Sequence, residues 1–223
     1  MLNWFGRFCS SSIGKKTLMA LTGLGLIGFL IAHLAGNLTL FADGDGEAFN
    51  HYAEVLESNP LLPIAEIGLL ILFVAHIALG LAVSRGNREA REDRYQVRAT
   101  KGKQTLASGS MLITGLIVGV FLVIHIIDFR VAKLMGDESV QDLALAVKNR
   151  LASPAGASIY LVGVISLGVH LSHAFKSAFQ TLGVNHPRYS PLIEKVGIGL
   201  AVVLFIGFAS FPIYCLIQGA QVH

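Results

Sequence analysis

The sequence predicts an all-α integral membrane protein: a single domain over residues 1–223, built as a bundle of five transmembrane helices. Hydrophobic residues make up 53% of the chain and charged residues only 14%, against about 25% charged residues in a typical soluble domain. The mean hydropathy is +0.64. These values exclude a soluble enzyme, a disordered chain and a secreted disulfide scaffold. The net charge of +3 is small and says little about nucleic acid; for a membrane protein we expect the lipid bilayer as a partner and no nucleic acid.

Five apolar stretches are long enough to span a bilayer, which takes about 20 residues in a helix. They lie at about 17–42, 61–84, 104–128, 151–176 and 194–218. Each is too long for a strand of a membrane β-barrel, which has about 10 residues of alternating polarity. Residues 48–56 and 140–151 are predicted to form short amphipathic helices on the outer surface. Residues 181–191 are predicted to form a turn-rich loop.

The positive charges predict the orientation of the helices. The N-terminal segment and the second and fourth loops hold 13 of the Lys and Arg residues, and the first and third loops hold 4. Because cytoplasmic loops carry the excess of Lys and Arg, we expect a multi-pass protein of the inner (cytoplasmic) membrane. Its N-terminus is then cytoplasmic and its C-terminus outside. Cys9 and Cys215 lie on opposite sides in this topology and cannot form a disulfide.

Histidines inside the apolar stretches are the candidate functional residues. There are five of them: His33, His76, His125, His170 and His173. An ionisable residue inside a membrane is costly and indicates function. With a rise of about 1.5 Å per residue, His33 and His125 fall in the outer half of the membrane, while His76 and His170 fall in the inner half. The sequence therefore predicts two depth-matched pairs.

Two facing neutral imidazoles supply the axial nitrogens of a six-coordinate haem. Two such pairs predict a bundle that encloses two haems b, with irons roughly 15 Å apart along the membrane normal. A histidine-lined metal transporter is an alternative from another class, and a structural anchor without haem is a third. Transporter sites usually combine histidine with carboxylates at mid-membrane, whereas the carboxylates of this chain lie at the helix ends.

A short internal repeat accompanies the histidines. Thr22-Gly23 precedes His33 by the same spacing as Thr114-Gly115 precedes His125. Gly23 and Gly115 are predicted to let a flat macrocycle approach the helix, although glycine in membrane helices also serves close helix packing.

The fourth stretch offers more than one candidate. His170 and His173 lie one turn apart, so periodicity alone does not choose the ligand, and the other histidine could meet a haem propionate or a quinone. Lys176 lies near the cytoplasmic surface, where it could pair with a propionate or extend its charge into the interface.

The chain resembles the di-haem cytochrome b membrane anchor, of the five-helix type, of succinate dehydrogenases and quinol:fumarate reductases. The resemblance rests on Ser12-Ile-Gly-Lys-Lys-Thr17, on His33-Leu-Ala-Gly-Asn37, on one histidine in each of the first four stretches, and on His170-Leu-Ser-His-Ala-Phe-Lys-Ser-Ala-Phe-Gln-Thr-Leu-Gly183. It implies that His170 is the ligand. It also implies that the haem of His76 and His170 lies nearest the iron–sulfur subunit, and that of His33 and His125 farthest from it.

The resemblance also implies partners. A flavoprotein subunit would interconvert succinate and fumarate, and an iron–sulfur subunit would carry electrons to this chain. This chain would exchange the electrons with a membrane quinone, expected to be menaquinone, and holds no catalytic residue for the dicarboxylate. Residues 85–103, with seven basic side chains, could dock the soluble subunits or simply set the topology. The di-haem cytochrome b of a hydrogenase or formate dehydrogenase is an alternative, against which residues 170–183 argue.

One position departs from part of that family. Some fumarate reductases carry a glutamate two residues before the fourth-helix ligand for transmembrane proton transfer, and Gly168 occupies that position in this chain. This favours a succinate dehydrogenase. The acids on the outer side that could exchange quinone protons are Glu54, Glu57, Glu66 and Asp128, although each is also typical of a surface or capping residue.

Overall fold

A computed structural model describes residues 2–89 and 110–220 of the chain. Every regular element in these residues is helical. The helices are α1 (Leu2–Ser10), α2 (Ser12–Asn37), α3 (Glu47–Glu57), α4 (Leu62–Glu89), α5 (Met111–His125), α6 (Leu143–Ala152), α7 (Pro154–Thr181) and α8 (Ser190–Ala220). A 3-10 turn, Leu38–Phe41, extends α2. A π-helical stretch, Ile126–Val131, extends α5 and continues as the short helix Ala132–Leu134.

Within the described residues, five helices are long and apolar enough to cross a membrane, in agreement with the sequence. Their spans are Ser12–Phe41, Leu62–Asn87, Met111–Leu134, Pro154–Thr181 and Ser190–Gly219. The first part of the predicted third stretch, residues 104–109, lies outside the described residues, as does most of the basic loop 85–103.

The first long helix begins five residues before its predicted start. Ser11 caps it, because the Ser11 hydroxyl accepts a hydrogen bond from the Gly14 N–H at 3.0 Å. A serine in this position satisfies one of the free N–H groups of the first turn. Lys15 and Lys16 therefore lie inside α2, although their charges ended the apolar stretch in the sequence.

Four of the long helices form a closed bundle. In sequence around the bundle, α2 packs against α4, α4 against α5, α5 against α7, and α7 against α2. Helices α2 and α5 are therefore diagonal partners, as are α4 and α7. Helix α8 lies outside this ring, against α7 and α2.

The tightest packing lies between α2, α7 and α8. Leu34 of α2, Leu171 of α7 and Leu204 of α8 are buried in one cluster. A Cβ atom at Gly207 of α8 would lie 2.6 Å from Leu34 Cδ2, so this glycine lets the two helices approach closely, as small residues do in membrane bundles. Helix α4, by contrast, exposes large apolar side chains such as Ile71, which is 63% exposed and faces where lipid would lie.

Two of the connections between the spans fold over one end of the bundle. The predicted surface helices appear as α3 and α6, and Asn50 and Asp142 join them. The Asn50 amide donates to Asp142 Oδ1 at 2.8 Å and accepts from the Ala144 N–H at 2.9 Å. Lys148 adds hydrogen bonds to the carbonyls of Gly44 and Asp45. We call this the capped end; it is the end at which α2 finishes.

Candidate functional site

The four histidines that the sequence singled out meet in two pairs. His33 and His125 lie with their ring centres 5.8 Å apart; we call them the capped pair because they are nearer the capped end. His76 and His170 lie with their ring centres 6.5 Å apart; we call them the uncapped pair. These are the two pairs that the helical rise predicted.

Each pair joins diagonal helices of the bundle. The capped pair connects α2 with α5, and the uncapped pair connects α4 with α7. Each histidine therefore points toward the bundle axis from an opposite side. All four side chains are half-buried.

The spacing of both pairs fits a metal ion between the two rings. Metal–imidazole bonds of about 2 Å place the centres of two axial rings roughly 6 Å apart. The observed separations lie on either side of this value, and the rings are nearly perpendicular, at 81° in both pairs. Within the described residues no group of three or more His, Cys, Asp or Glu could hold a metal ion. Two protein nitrogens per site are the number that a porphyrin, with four nitrogens of its own, leaves to be filled. The residues therefore fit haem.

Threonines orient both histidines of the uncapped pair. Thr22 Oγ1 lies 3.2 Å from His76 Nδ1, and Thr114 Oγ1 lies 3.4 Å from His170 Nδ1. Each hydroxyl gives its single proton to a carbonyl of its own helix, at 2.9 Å for Thr22 and 3.0 Å for Thr114. The hydroxyl oxygen can then only accept from the imidazole. This places the imidazole proton on Nδ1 and leaves the Nε2 lone pair for a metal.

The glycines of the repeat lie against the same two rings. A Cβ atom at Gly23 would stand 3.1 Å from His76 Cε1, and one at Gly115 would stand 3.3 Å from His170 Cε1. Each Thr-Gly dipeptide is thus a seat for a histidine on the adjacent helix. The spacing in the sequence related each glycine only to the histidine of its own helix. The predicted close approach of a macrocycle at these glycines stays a prediction.

The capped pair is held differently. The Asn37 amide nitrogen lies 3.4 Å from both His33 Nδ1 and His33 Nε2, and it donates to the His33 carbonyl at 2.7 Å. On the other ring, Tyr160 Oη lies 3.5 Å from His125 Nδ1. Tyr160 donates its proton to Asp128 Oδ2 at 2.9 Å, and the Arg150 guanidinium binds the same oxygen at 2.8 Å.

Aromatic rings surround the capped pair. Phe29 stacks on His33 at 5.2 Å, and Phe121 lies 6.0 Å from His125. Both phenylalanines stand four residues before their histidine. The repeat therefore extends to Thr-Gly, five residues, Phe, three residues, His. Sequence reasoning missed Phe29 and Phe121, although this common spacing was the signal that could have revealed them.

The remaining candidate residues lie beside the pairs. His173 is half-buried one turn beyond His170 on α7. Lys176 forms an ion pair with Glu194 of α8, and its contact with a propionate stays a prediction. Gly168 faces α8, where a Cβ atom would stand 3.2 Å from Phe205 Cβ.

Three of the four acids proposed for quinone protons are held in ion pairs. Glu57 binds Lys133 at 2.7 Å, Glu66 binds Arg130 at 2.8 Å, and Asp128 binds Arg150. Glu54 is exposed on α3. The ion pairs all join separate segments at the capped end, which gives these three acids a structural role.

A cavity of about 370 Å³ opens beside this network. It is lined by Asp128, Phe129, Ser139, Val140, Ala146, Asn149, Arg150 and Ser153. Phe129 of this lining also contacts His125, and the centres of the two rings are 5.5 Å apart.

Comparison with known proteins found one similar chain of described role. The chain is 26% identical over 200 residues to the succinate dehydrogenase cytochrome b558 subunit of Bacillus subtilis (strain 168). The matched region covers 87% of this chain and 90% of that protein. No family model matches the chain, and no solved structure matches it.

Proposed function

We propose that this chain is the membrane anchor and electron-transfer subunit of a succinate:quinone oxidoreductase, and that it binds two haems b. The observation that carries the proposal is the pair of histidine sites, each with two rings at the separation that an axially ligated metal requires. The similarity to a succinate dehydrogenase cytochrome b558 subunit supports a succinate dehydrogenase anchor in particular.

The four histidines would hold the two haem irons, His33 with His125 and His76 with His170. Thr22 and Thr114 fix the tautomer of the uncapped pair, so that each Nε2 faces the metal position with its lone pair. Phe29 and Phe121 help to exclude water from the capped pair. A bound haem b supplies a one-electron ferric–ferrous couple whose potential depends on these ligands and on their burial.

The two depths give electrons a route along the bundle. We expect the iron–sulfur subunit, with its flavoprotein subunit, to dock at the uncapped end on the cytoplasmic side. Electrons then pass between the uncapped and capped pairs and reach a membrane quinone, expected to be menaquinone. Purification of the intact complex tests the partners, because succinate should then reduce both haems. A complex that oxidises hydrogen or formate instead would identify the alternative cytochrome b.

The cavity beside Asp128 and Arg150 is the proposed quinone site. Its volume lies in the range of small-ligand pockets, about 300–1,000 Å³. Arg150 can donate to a quinone oxygen, and Phe129, which lines the cavity, has its ring centre 5.5 Å from that of His125. In the intact complex, Asn149→Trp should reduce quinone turnover by about tenfold or more while both haems remain bound. Full turnover in this variant would argue against the cavity.

Haem stoichiometry tests the proposal directly. Reduced-minus-oxidised spectra and haem content per chain should give two b-type haems for the wild type. His33→Ala, His76→Ala, His125→Ala and His170→Ala should each remove or disturb one of them. His51→Ala is the matched control, since His51 is exposed on α3, and it should retain both. A wild type without haem, or a haem content unchanged in all four variants, would refute the proposal.

A further inference from the structure

One capped-pair histidine is linked to a charged network, whereas the partners at Nδ1 of the uncapped pair within residues 2–89 and 110–220 are neutral threonines. His125 Nδ1 faces Tyr160 Oη, Tyr160 donates to Asp128, and Arg150 donates to the same carboxylate oxygen. The side chain of Asp128 is only 18% exposed and that of Arg150 is 31% exposed. Asp128, the group that receives the Tyr160 hydrogen bond, is thus the less exposed of the two charged side chains.

The direction of the hydrogen bonds follows from the number of protons. Tyr160 has one hydroxyl proton, which it donates in a hydrogen bond to Asp128 Oδ2 at 2.9 Å. The phenol oxygen is then left as an acceptor toward His125 Nδ1, at 3.5 Å. A carboxylate behind a hydroxyl makes that hydroxyl a stronger acceptor, because hydrogen bonds in a chain polarise one another.

The uncapped pair supplies the contrast within the same molecule. Thr22 and Thr114 also accept from a histidine, but their own protons go to neutral backbone carbonyls. A second ring nitrogen bonded to a stronger acceptor makes the imidazole a more basic ligand. A more basic ligand stabilises ferric relative to ferrous iron.

We infer that Tyr160, polarised by Asp128, lowers the reduction potential of the haem at the capped pair, and that Arg150 limits this effect. The inference rests on the proposed function. Tyr160 acts through His125 and is a positioning residue, so its role should appear in the potential and in the ligand spectrum.

Redox titration of the purified complex at one fixed pH tests the inference. The capped haem is identified as the one that His33→Ala removes. Tyr160→Phe removes the hydrogen bond without changing the net charge, and should favour reduction of the capped haem by about tenfold, or 59 mV for one electron. The uncapped haem should not change. The electron paramagnetic resonance signal of the ferric capped haem should shift as well.

Asp128→Asn distinguishes the hydrogen-bonded route from charge acting through space. Asp128→Asn alone should raise the reduction potential of the capped haem. In a chain that already carries Tyr160→Phe, Asp128→Asn should raise this potential much less, because the hydrogen-bonded route to His125 is already broken. Thr114→Val is the matched variant at the other site and should change only the uncapped haem.

Several results would overturn the inference. One is a wild-type complex with two haems in which Tyr160→Phe leaves the capped potential unchanged; the proposed function would then still stand. Equal effects of Asp128→Asn in both backgrounds would also overturn it. If Tyr160→Phe fails to assemble, Asp128→Asn alone decides, since an unchanged capped potential would exclude the route. A wild type without haem would instead remove the proposed function itself.

Discussion

The capped and uncapped histidine pairs share a ring geometry that a metal ion would fit, but they differ in the polar groups beside their rings. Their ring separations are 5.8 and 6.5 Å and their interplanar angles are equal. The uncapped pair rests on two threonines in corresponding positions. The capped pair is flanked by Asn37, whose amide nitrogen is equally near both ring nitrogens of His33, and by Tyr160, which faces His125 Nδ1. A repeated sequence can therefore build two similar histidine pairs in unequal polar surroundings.

The backbone after each capped-pair histidine accounts for much of this difference. Beyond His33, α2 finishes in a tight 3-10 turn at Leu38–Phe41. Beyond His125, α5 widens into the π-helical stretch Ile126–Val131. A π-helical stretch shifts the helical register and is frequent at functional sites. Asp128 and Arg130 lie on this stretch, where they reach Tyr160 and Glu66 respectively.

The largest expected effect breaks the uncapped site alone. Gly23→Val and Gly115→Val place side-chain atoms where His76 and His170 now lie. Each variant should lose the uncapped haem, about half of the total, and keep the capped one, since overpacking displaces side chains at a cost of about 1–3 kcal/mol. Haem content per chain and the reduced spectrum measure this.

Gly28→Val is the matched control, because no heavy atom lies within 4 Å of a Cβ at this position. It should keep both haems. Loss of the capped haem in the Gly23 variant would mean that the glycine does not act through His76.

A smaller effect should follow at the same site from removing the hydroxyls. Thr22→Val and Thr114→Val keep the shape of the side chain, but they leave the Nδ1 N–H of His76 or His170 without its hydrogen-bond acceptor. Loss of such a supporting contact typically costs about 10–100-fold in affinity, so each variant should lose haem faster from the uncapped pair. Transfer of haem to an acceptor protein gives the rates. Thr39→Val, whose hydroxyl bonds the Gly36 carbonyl, should release haem at the wild-type rate, and equal acceleration in all three variants would contradict the assignment.

The stability of the capped end should depend on pH through Asp142, and this gives a further difference between the two histidine pairs. The N–H of Leu145 and the Asn50 side chain lower the pKa of the Asp142 carboxyl. Its stabilising contribution is therefore complete above its ordinary pKa of about 3.9 and is lost as the pH falls through the lowered value. Asp142→Ala should destabilise the capped end by about 1 kcal/mol at neutral pH, the usual cost of a lost N-cap.

Thermal release of the capped haem, followed against pH, measures this contribution. The difference between wild type and Asp142→Ala should shrink below about pH 4. Glu54→Gln, which changes an exposed carboxylate of the same cap, should behave as the wild type. A difference that grows in acid would show that Asp142 does not stabilise the cap in its charged form.

The smallest expected effect concerns the ion pair between Arg130 and Glu66. Both side chains are about one-third exposed, at 36% and 37%, and such pairs typically contribute less than about 1 kcal/mol. Glu66→Gln should lower the temperature of capped-haem release slightly and leave the uncapped haem unchanged. Glu89→Gln is the control, since the Arg85–Glu89 pair is far more exposed and should contribute nothing measurable. An equal effect on both haems would place the role of Glu66 elsewhere.

Local rules in the sequence carried the prediction of the spans and the pairing of the histidines. The summed hydropathy of consecutive residues identifies each span. The constant rise of a helix converts residue number into depth in the membrane, so His33 could be matched with His125. Contacts between helices have no such rule. That Gly23 lies against His76, that Lys176 pairs with Glu194, and that Tyr160 reaches Asp128 depends on helix rotation and on the π-helical stretch.

The pairing itself is the central claim, and a comparison of double variants tests it most directly. His33→Ala with His125→Ala removes both ligands of one proposed site, whereas His33→Ala with His170→Ala removes one ligand from each. If the pairs are correct, the first double variant keeps one haem per chain with the spectrum and potential of the uncapped site, and the second keeps none bound by two histidines. The reverse result, or one intact haem in both, would contradict the account.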